Sequence, residues 1–445
     1  MKAPLQPKRL DALLSAYAGS LPKILGLGIK PTVSGDYMHW DQLRHRDPPQ
    51  GMNHEEWWLG IKLARSPLFR ELPLTDASGR PFRYAMPDCV LEMLHHIDSK
   101  AGGRLELPEQ ITNKETRDRY IVNSLMEEAI TSSQLEGAST TREVAADMLR
   151  SGRKPRDNSE QMILNNYKAI KNIRGMTTRK LTPESVLELH KILTLDTLED
   201  PSAAGRLQRP DEQRVHVADN ATQNILHAPP PADQLPQRLE MMCDFANGES
   251  DGQTFVHPII RSIILHFWLA YDHPFVDGNG RTARTLFYWA MLSKGYWLFE
   301  YVSISRILKD APAKYAKSYL YTETDDNDAT YFIIYQLQVM LRAIDDLYKY
   351  LERKAAEVTE TEKRLKNVSS FNHRQLALLS HATRHPGAEY TIASHQESNN
   401  VAYATARADL LELEGKGLLL KRISGRKKQF FVAPDDLQKR LESIG

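Results

Sequence analysis

The twelve-residue segment HPFVDGNGRTAR, from His273 to Arg284, combines a base, a carboxylate, two glycines, an amide and two arginines. These are the groups needed to hold a polyphosphate and a cation while a proton is removed beside them. Pro274 and Asp277-Gly278 interrupt the apolar run over 263–271, and good helix formers resume at Asn279 and continue to Leu292. The segment is therefore predicted to be a loop that leaves one helix and enters another.

The second half of this segment is suited to binding phosphate. A helix N-terminus presents unpaired N–H groups and partial positive charge. Gly278 and Gly280 have no Cβ atom, so the backbone there can approach an oxyanion closely. Arg281 and Arg284 are three positions apart, so both side chains lie along one face of the new helix, and arginine can bind phosphate with two parallel hydrogen bonds. We therefore predict a polyphosphate site at the start of the second helix.

The remaining polar groups fit a proton transfer beside a bound cation. Asp277 offers a hard oxygen ligand of the kind that Mg²⁺ prefers when it bridges phosphate oxygens. His273 is a natural general base because imidazole titrates near neutral pH. Asn279 adds a side-chain amide donor. Each residue alone has a structural explanation, such as a turn or a core histidine, and it is their combination that predicts a catalytic site.

This segment resembles the signature of the Fic family, His-x-Phe-x-(Asp/Glu)-Gly-Asn-Gly-Arg-x-x-Arg, and matches it at every fixed position. The resemblance implies a mainly α fold, a helical bundle with a small β-hairpin flap. It also implies a nucleotidyltransferase that moves AMP from ATP to a hydroxyl side chain of a target protein and releases pyrophosphate. The related Doc branch, which phosphorylates its target, departs from the pattern at the position of Gly278, so the resemblance favours AMP transfer.

The resemblance also implies a role for each signature residue. His273 would deprotonate the target hydroxyl, and Phe275 would be a buried anchor for the loop. Mg²⁺ would be bound by Asp277 between the α- and β-phosphates. The expected phosphate contacts are Asn279, Gly280 and Arg281 for the α- and β-phosphates and Arg284 for the γ-phosphate, and Tyr315 is expected near the adenine.

A second motif, Ser132-Ser-Gln-Leu-Glu136-Gly137, follows a stretch with helical periodicity over 118–130. It resembles the inhibitory motif of the Fic family, (Ser/Thr)-x-x-x-Glu-(Gly/Asn), which implies that Glu136 pairs with Arg284 and excludes the γ-phosphate. Taken alone, the motif would be a helix that ends in a glycine cap. In some relatives this glutamate orients a water that removes AMP from a modified protein, so AMP removal is an alternative function.

A third segment, 214–229, has alternating apolar positions around Asp219-Asn220 and is predicted to form a short β-hairpin. In the Fic family such a flap pairs with the target segment by strand addition, which implies a protein substrate bound along 214–229. A surface hairpin without a binding role is the other interpretation.

Composition is that of an ordinary globular protein, with 445 residues and a formal net charge of +1. No run approaches the roughly 18 apolar residues that a membrane span needs, and the N-terminus lacks the apolar core of a secretory signal. Cys89 and Cys243 form no metal-type spacing, which favours a reducing, cytoplasmic location. We expect an N-terminal extension over 1–104 that packs on the rest of the chain, a Fic catalytic domain over 105–366 that includes the inhibitory helix, and a separate domain over 367–445.

Helices are predicted in the central region, over Asn158–Ile173, Thr182–Leu193, Pro231–Phe245, Pro258–Tyr271, Asn279–Ser293 and about 328–364. In the last region, three short helices precede a hairpin around 425–428, a pattern that resembles a winged helix-turn-helix. Thr405 and Arg407 would then lie on its recognition helix. Because acidic residues share that helix, DNA binding and protein docking or dimerisation both remain open. A DNA-binding regulator that senses nucleotide is the competing function.

Overall fold

The computed structural model describes residues 3–101, 114–214, 217–218, 225–249, 254–367, 371–385, 387–399, 401–424 and 428–442. The chain divides into two compact units, one formed by 1–103 and 124–344 and the other by 104–123 and 345–445. Most described residues are helical, as expected from the sequence. Among them, no helix is both long enough and apolar enough to cross a membrane.

The N-terminal part of the first unit contains four short helices, a β-hairpin and a longer helix. These are α1 Leu10–Ala16, α2 Leu21–Gly26, α3 Trp40–Leu43, α4 His54–Arg65, β1 Phe69–Thr75, β2 Pro81–Ala85 and α5 Asp88–Ala101. An apolar cluster that includes Trp57 and Trp58 holds the helices together. Asn53 caps α4 through a reciprocal pair of hydrogen bonds with Glu56.

The rest of the first unit is a helical assembly with one small hairpin. Its elements are α6 Lys114–Leu135 (in this unit from Ser124), α7 Arg142–Ser151, α8 Asn158–Met176, α9 Pro183–Thr194, β3 Val217–Ala218, β4 Ile225–His227, α10 Leu235–Asn247, α11 Pro258–Asp272, α12 Asn279–Ser293, α13 Ile304–Asp310, α14 Pro312–Thr324 and α15 Thr330–Asn367 (in this unit as far as Ile344). The helices predicted in the central region are confirmed, except that α10 begins four residues later than expected, after a short 3₁₀ turn at Ala232–Gln234.

Helices α11 and α12 form the centre of this unit. Nearly every side chain of α11 is buried, because its sequence is apolar on all faces. Helix α12 is buried too, and its arginines are enclosed with the apolar residues. Helices α8 and α9 pack against α12. The residues of the signature loop are therefore held between the two most buried helices of the described chain.

The predicted flap is a small antiparallel hairpin. Strand β3 pairs with β4, with Val217 opposite His227 and a register shift before the next pair. The turn at 219–224 and the side chains of 215–226 lie outside the described residues, so the expected contacts along the flap stay predictions. The base of the hairpin is described on both sides, and it is there that the flap meets the signature loop.

The second unit contains the C-terminal part of α15 from Asp345, α16 His373–Arg384, β5 Glu389–Tyr390, α17 Ile392–Asn399, α18 Tyr403–Gly415, β6 Leu420–Ser424, β7 Lys428–Val432 and α19 Leu437–Glu442. The three short helices and the hairpin are found where the sequence predicts them. Strand β5 adds a third strand, in the order β5-β7-β6, and α19 follows. The basic hairpin tip at 425–427 lies outside the described residues, and the winged-helix assignment stays a prediction.

Candidate functional site

The signature loop reverses the chain between α11 and α12 with two left-handed residues. His273 ends α11 with φ at 46° and donates its N–H to the Leu269 carbonyl at 3.0 Å. Gly278 precedes α12 with φ at 82°, and a Cβ there would come within 2.7 Å of Thr194 Cγ2. Only glycine satisfies both the angle and the space. The predicted helix–loop–helix geometry is therefore what the structure contains.

Asn279 fixes the shape of the loop from inside. Its side chain accepts the Phe275 N–H at 2.9 Å and donates to the Phe275 carbonyl at 2.8 Å. Both residues are buried, which fits the expected anchor role of Phe275. Because the Asn279 amide is occupied within the loop, a phosphate contact from this residue would come from its backbone N–H. That contact stays a prediction.

His190 supports the loop from below and was missed by the sequence analysis. Its ring lies 3.7 Å from the Phe275 ring, nearly parallel at 7°. Its Nδ1 accepts the Gly205 N–H at 3.0 Å, so Nε2 carries the hydrogen and donates to the Asp277 carbonyl at 2.9 Å. Burial lowers the pKa of His190 to about 4, so the ring is neutral. Its partners are 15 and 87 residues away in sequence, and no local pattern points to them.

His273 is in the state that a general base requires. Burial, with a smaller effect from the nearby His227, lowers the pKa of His273 to about 4, so its ring is neutral at pH 7. For His227, burial is the largest influence and acts to lower the pKa, but the Glu323 carboxylate, 2.8 Å from its Nδ1, together with the Tyr271 carbonyl and Asp272, raises the pKa. A neutral imidazole, His273, and a histidine with a raised pKa, His227, thus influence each other where β4 meets α11.

Arg214 ties the base of the flap to the end of α11. It donates to the carbonyls of Asp272 at 2.7 Å, His273 at 3.2 Å and Pro230 at 2.9 Å. Gln208 adds a backbone bond, from its N–H to the Pro274 carbonyl at 2.9 Å. The segments that enter and leave the hairpin are therefore both fixed relative to the candidate base. The sequence placed Arg214 at the start of the flap without assigning it this contact.

Arg281 and Asp277, the expected phosphate and cation ligands, contact each other at the start of α12. Arg281 is fully buried, and it donates to the Leu193 carbonyl at 3.1 Å and to Asp277 Oδ2 at 3.2 Å. Its Nε has no hydrogen-bond partner among the described residues. Burial lowers the pKa of Arg281, which remains far above neutrality. A buried guanidinium with a free donor is a suitable ligand for a phosphate oxygen.

The surroundings of Asp277 fit Mg²⁺ bound together with a substrate. The side chain of Asp277 is 53% exposed, so its oxygens are accessible. The described residues contain no group of three or more His, Cys, Asp or Glu side chains that could hold a metal ion by themselves. One carboxylate with phosphate oxygens and water is the usual ligand set of Mg²⁺ in nucleotide sites. The residues present therefore fit the expected cation.

Arg284 is engaged by the predicted inhibitory motif. Its Nη2 lies 2.8 Å from Glu136 Oε1, its Nε donates to Ser132 Oγ at 2.9 Å, and Nη2 also donates to the Ser132 carbonyl at 2.9 Å. Burial is the largest influence on the pKa of Arg284 and acts to lower it, but the charges around Arg284, that of Glu136 foremost, together raise the pKa. Gly137, with φ at 95°, follows the end of α6. The glycine that ends the helix and the Glu136–Arg284 ion pair are therefore both present.

Glu136 also lies directly over Gly280. A Cβ on Gly280 would overlap the Glu136 carboxylate and come within 2.9 Å of Arg284 Nη1. The first turn of α12 thus already surrounds one anionic group, supplied by the chain itself. A γ-phosphate that bound Arg284 would have to take the place of this carboxylate.

Helix α6, which ends immediately before Glu136, is anchored through a buried carboxylate, Glu128, that the sequence did not reveal. Glu128 accepts hydrogen bonds from Tyr288 Oη at 2.8 Å, Ser303 Oγ at 2.8 Å and the Ser305 N–H at 3.1 Å, and also from the Ser305 hydroxyl. Only 2% of Glu128 is exposed. These bonds hold α6 against α12 and the start of α13.

Tyr315 lies on the Arg284 side of α14. Its hydroxyl is 2.8 Å from His266 Nε2 and 3.1 Å from Tyr319 Oη. Burial raises the pKa of Tyr315, and the positive charge of Arg284 opposes that rise. The side chain is thus part of the site's surroundings, and its contact with adenine stays a prediction.

The fold is mainly helical, and its glycine-rich loop leads into a helix with two buried arginines, of which Arg284 is paired with Glu136. Residues 180–291 match the Fic/DOC family, and the chain contains a Fic domain. A Fic family protein from Desulfovibrio desulfuricans G20 has a similar fold, with a TM-score of 0.50 and 18% identity over 79% of this chain and 98% of that one.

Curated relatives carry the name protein adenylyltransferase Fic. The one from Drosophila willistoni is 31% identical over 29% of this chain and 23% of its own length. The one from Nematostella vectensis is 26% identical over 46% of this chain and 45% of its own. The chain therefore spans less than half the length of these relatives.

Proposed function

We propose that this protein transfers AMP from ATP to a hydroxyl side chain, of Ser, Thr or Tyr, on a target protein. The observation that carries the proposal is the loop between α11 and α12. It places the neutral base His273, the exposed carboxylate of Asp277 and the buried Arg281 around one helix N-terminus. The relatives named protein adenylyltransferase Fic support the same activity.

In this proposal His273 removes the proton of the target hydroxyl as its oxygen attacks the α-phosphorus of ATP. The bond from that phosphorus to the bridging oxygen breaks, and pyrophosphate leaves. Asp277 would hold Mg²⁺, which would neutralise part of the phosphate charge. Arg281 and the N–H groups at the start of α12 orient the phosphates, and positioning of this kind accounts for most of the acceleration in such transfers.

We further propose that the described conformation is autoinhibited. Ser132 and Glu136 engage Arg284 through three contacts at 2.8–2.9 Å, so its Nε and Nη2 donors are already occupied when a γ-phosphate approaches. A charge-assisted pair in a partly dry site is strong enough to compete with a phosphate oxygen. ATP then binds poorly or with a misaligned α-phosphate until Glu136 moves away.

The flap is the proposed binding edge for the target. Arg214 fixes the base of the hairpin to the end of α11 through the contacts described above. An extended target segment that pairs with β3 or β4 would present alternate side chains toward His273. Backbone pairing would then align a hydroxyl residue of the target segment, and the register of that pairing would determine which residue is modified.

Transfer of label from α-labelled ATP to protein, in the presence of Mg²⁺, tests the proposal with three proteins. We expect faint labelling by the wild type, strong labelling by Glu136→Gly, and none by Glu136→Gly combined with His273→Ala. General-base catalysis is worth about 10²–10⁴-fold, so the last loss is readily measured. Comparable labelling by the two Glu136→Gly proteins would contradict the role of His273.

Failure of all three proteins to label themselves or a cell lysate would contradict AMP transfer and favour the removal of AMP. That alternative has its own assay, release of AMP from a pre-modified protein by the wild type. Glu136→Gly should abolish such release if Glu136 orients the attacking water, whereas it should stimulate transfer. The same variant therefore separates the two directions.

A second candidate function, DNA binding by the C-terminal unit, is favoured by the state of Asp409. This carboxylate, on the predicted recognition helix α18, is buried. It lies 2.7 Å from Arg374 Nε, 3.2 Å from His395 Nε2 and 2.8 Å from Asn372 Nδ2. Because the charge of Asp409 is paired within the unit, this acidic residue is less unfavourable for DNA binding by the helix.

The outward face of α18 has the residue types of a groove-reading helix. Tyr403 is 55% exposed and Arg407 is exposed, with no ion pair recorded for Arg407 among the described residues. Glu412 is engaged by Gln375 at 2.8 Å and Lys416 at 2.9 Å. Tyr403 and Arg407, four positions apart, share one face of the helix, and this face can contact phosphates and base edges in a major groove.

Electrophoretic retardation of genomic DNA fragments at rising salt tests this function. We expect retardation that weakens as salt increases and that Arg407→Ala reduces. Lys439→Ala, which removes the same charge from α19 in the same unit, is the matched control. The absence of any salt-sensitive retardation would exclude this second function without affecting the AMP transfer assay.

A further inference from the structure

A second cleft lies in the first unit, apart from the signature loop. It has a volume of about 760 Å³ and is lined by residues from the segment 36–46, from α14 and from α15. Helix α14 separates it from the Arg284 side. Tyr315 and Tyr319 face Arg284, whereas Lys314, Lys317 and Tyr321 line the cleft. The volume is in the range of small-molecule sites.

The rim of this cleft is positively charged. Arg46, Lys314 and Lys317 contribute cations, and Asp36 is the one carboxylate among its lining residues. Lys317 is 3.6 Å from Asp41 at the edge of the cleft, which partly neutralises it. Arg46 and Lys314 are exposed, and no ion pair is recorded for either among the described residues. An anion in the cleft could therefore pair with Arg46 and Lys314 without breaking an existing ion pair of either residue.

The walls and floor of the cleft are aromatic and apolar. Tyr321 is held in place by stacking on His39, with ring centroids 4.4 Å apart and an angle of 16° between the planes. Tyr335 is half-buried on the α15 side, and Met38 and Tyr331 are buried below. Ring faces that are fixed in this way can hold a planar group at low entropic cost.

Two amide side chains, Gln42 and Gln338, complete the lining at its exposed edge. An amide offers both a donor and an acceptor, so it can pair with the polar edge of a heteroaromatic ring. The cleft thus combines cations, ring faces and amides. Each of these features matches a different part of a nucleotide.

We propose that this cleft is a binding site for a small phosphorylated molecule with a planar heteroaromatic ring, of the nucleoside monophosphate class. The phosphate lies against Arg46 and Lys314, and the ring lies between the tyrosines. The site is independent of the proposed AMP transfer, since none of its lining residues belongs to the signature loop or to the inhibitory motif.

Isothermal titration calorimetry of the full chain with AMP, adenosine and ribose 5-phosphate tests the proposal. We expect AMP to bind more tightly than either fragment, because only AMP has both the ring and the phosphate. Arg46→Glu and Lys314→Glu should each weaken AMP binding about tenfold, the factor that corresponds to one lost charge-assisted hydrogen bond. Lys294→Glu is the matched control, an exposed charge reversal outside the cleft.

Arg46→Glu and Lys314→Glu should change the charge of the cleft without other effects on the protein. Lys314 is in the first turn of α14, where a glutamate is favourable for the helix, so this change should not impair folding. Arg46 is on the opposite wall from α14, so its effect cannot be attributed to a disturbed Tyr315. Unchanged AMP binding in both variants would overturn the proposal, with AMP then entering only the signature site. Equal affinity for AMP and ribose 5-phosphate would also overturn it, because the rings would then contribute nothing.

Discussion

Gly280 has no room for a side chain while Glu136 is paired with Arg284. Because a Cβ there would overlap the carboxylate, Gly280→Ala should displace Glu136 from Arg284. The same methyl group would obstruct a phosphate that approaches the first turn of α12. Alanine suits a helix better than glycine, so the variant should fold. A substitution at Gly280 can therefore displace Glu136 from Arg284 without activating AMP transfer.

We expect Gly280→Ala to give no labelling with α-labelled ATP, in contrast to the strong labelling expected of Glu136→Gly. ATP binding, measured by calorimetry, should likewise be weak in Gly280→Ala and improved in Glu136→Gly. Labelling of Gly280→Ala at the level of Glu136→Gly would contradict the close approach of phosphate to this backbone position. It would leave the inhibitory role of Glu136 intact.

Helix α6 is held at two separate points. One is the Glu136–Arg284 pair just after its C-terminus, and the other is the set of hydrogen bonds that Glu128 accepts. Glu128→Gln keeps the volume of the side chain but replaces a charged acceptor of several hydrogen bonds with a neutral amide. Hydrogen bonds to charged groups contribute about 1.5–3 kcal/mol. The substitution should therefore loosen α6 and partly relieve the inhibition, although Glu136 is unchanged.

The expected result for Glu128→Gln is labelling between that of the wild type and that of Glu136→Gly. Tyr288→Phe, which removes only one of the donors to Glu128, should have a smaller effect in the same direction. Amide hydrogen exchange along α6 should rise in both variants. Increased exchange without any gain of labelling would show that the ion pair alone maintains the inhibition.

The two motifs could be predicted from the sequence, whereas the residues that hold them in place could not. The loop residues from His273 to Arg284 are contiguous, so their types and spacing suffice to predict a helix–loop–helix anion site. His190 and Arg214 contact that loop or the end of α11 across 87 and 58 residues of sequence, and Glu128 holds α6 through partners 160–177 residues away. Each is an ordinary residue in its local context, and only tertiary packing reveals its partner. The extra strand β5, with two residues, is likewise too short to leave a periodic signal.

For the whole molecule, burial of neutral histidines should make stability depend on pH. Burial lowers the pKa of His39, His190 and His273 to about 4 and that of His266 to about 3. In the unfolded chain each would titrate near its ordinary value of about 6.5. Below that pH the unfolded state binds more protons than the folded state, so the free energy of unfolding falls as pH decreases.

The stability from these histidines is fully present above about pH 6.5 and is lost as pH falls toward 4. A shift from 6.5 to about 4 corresponds to roughly 3–4 kcal/mol at most for one histidine. His39→Gln offers a direct test, because glutamine can still accept the Asp41 N–H and bond to Thr324 but does not titrate. Urea unfolding at pH 7.0 and 4.5 should show a smaller loss of stability in His39→Gln than in the wild type. His95→Gln, at an exposed position, should behave as the wild type. Equal losses in all three proteins would mean that carboxylate protonation, and not the buried imidazoles, governs the acid sensitivity of the fold.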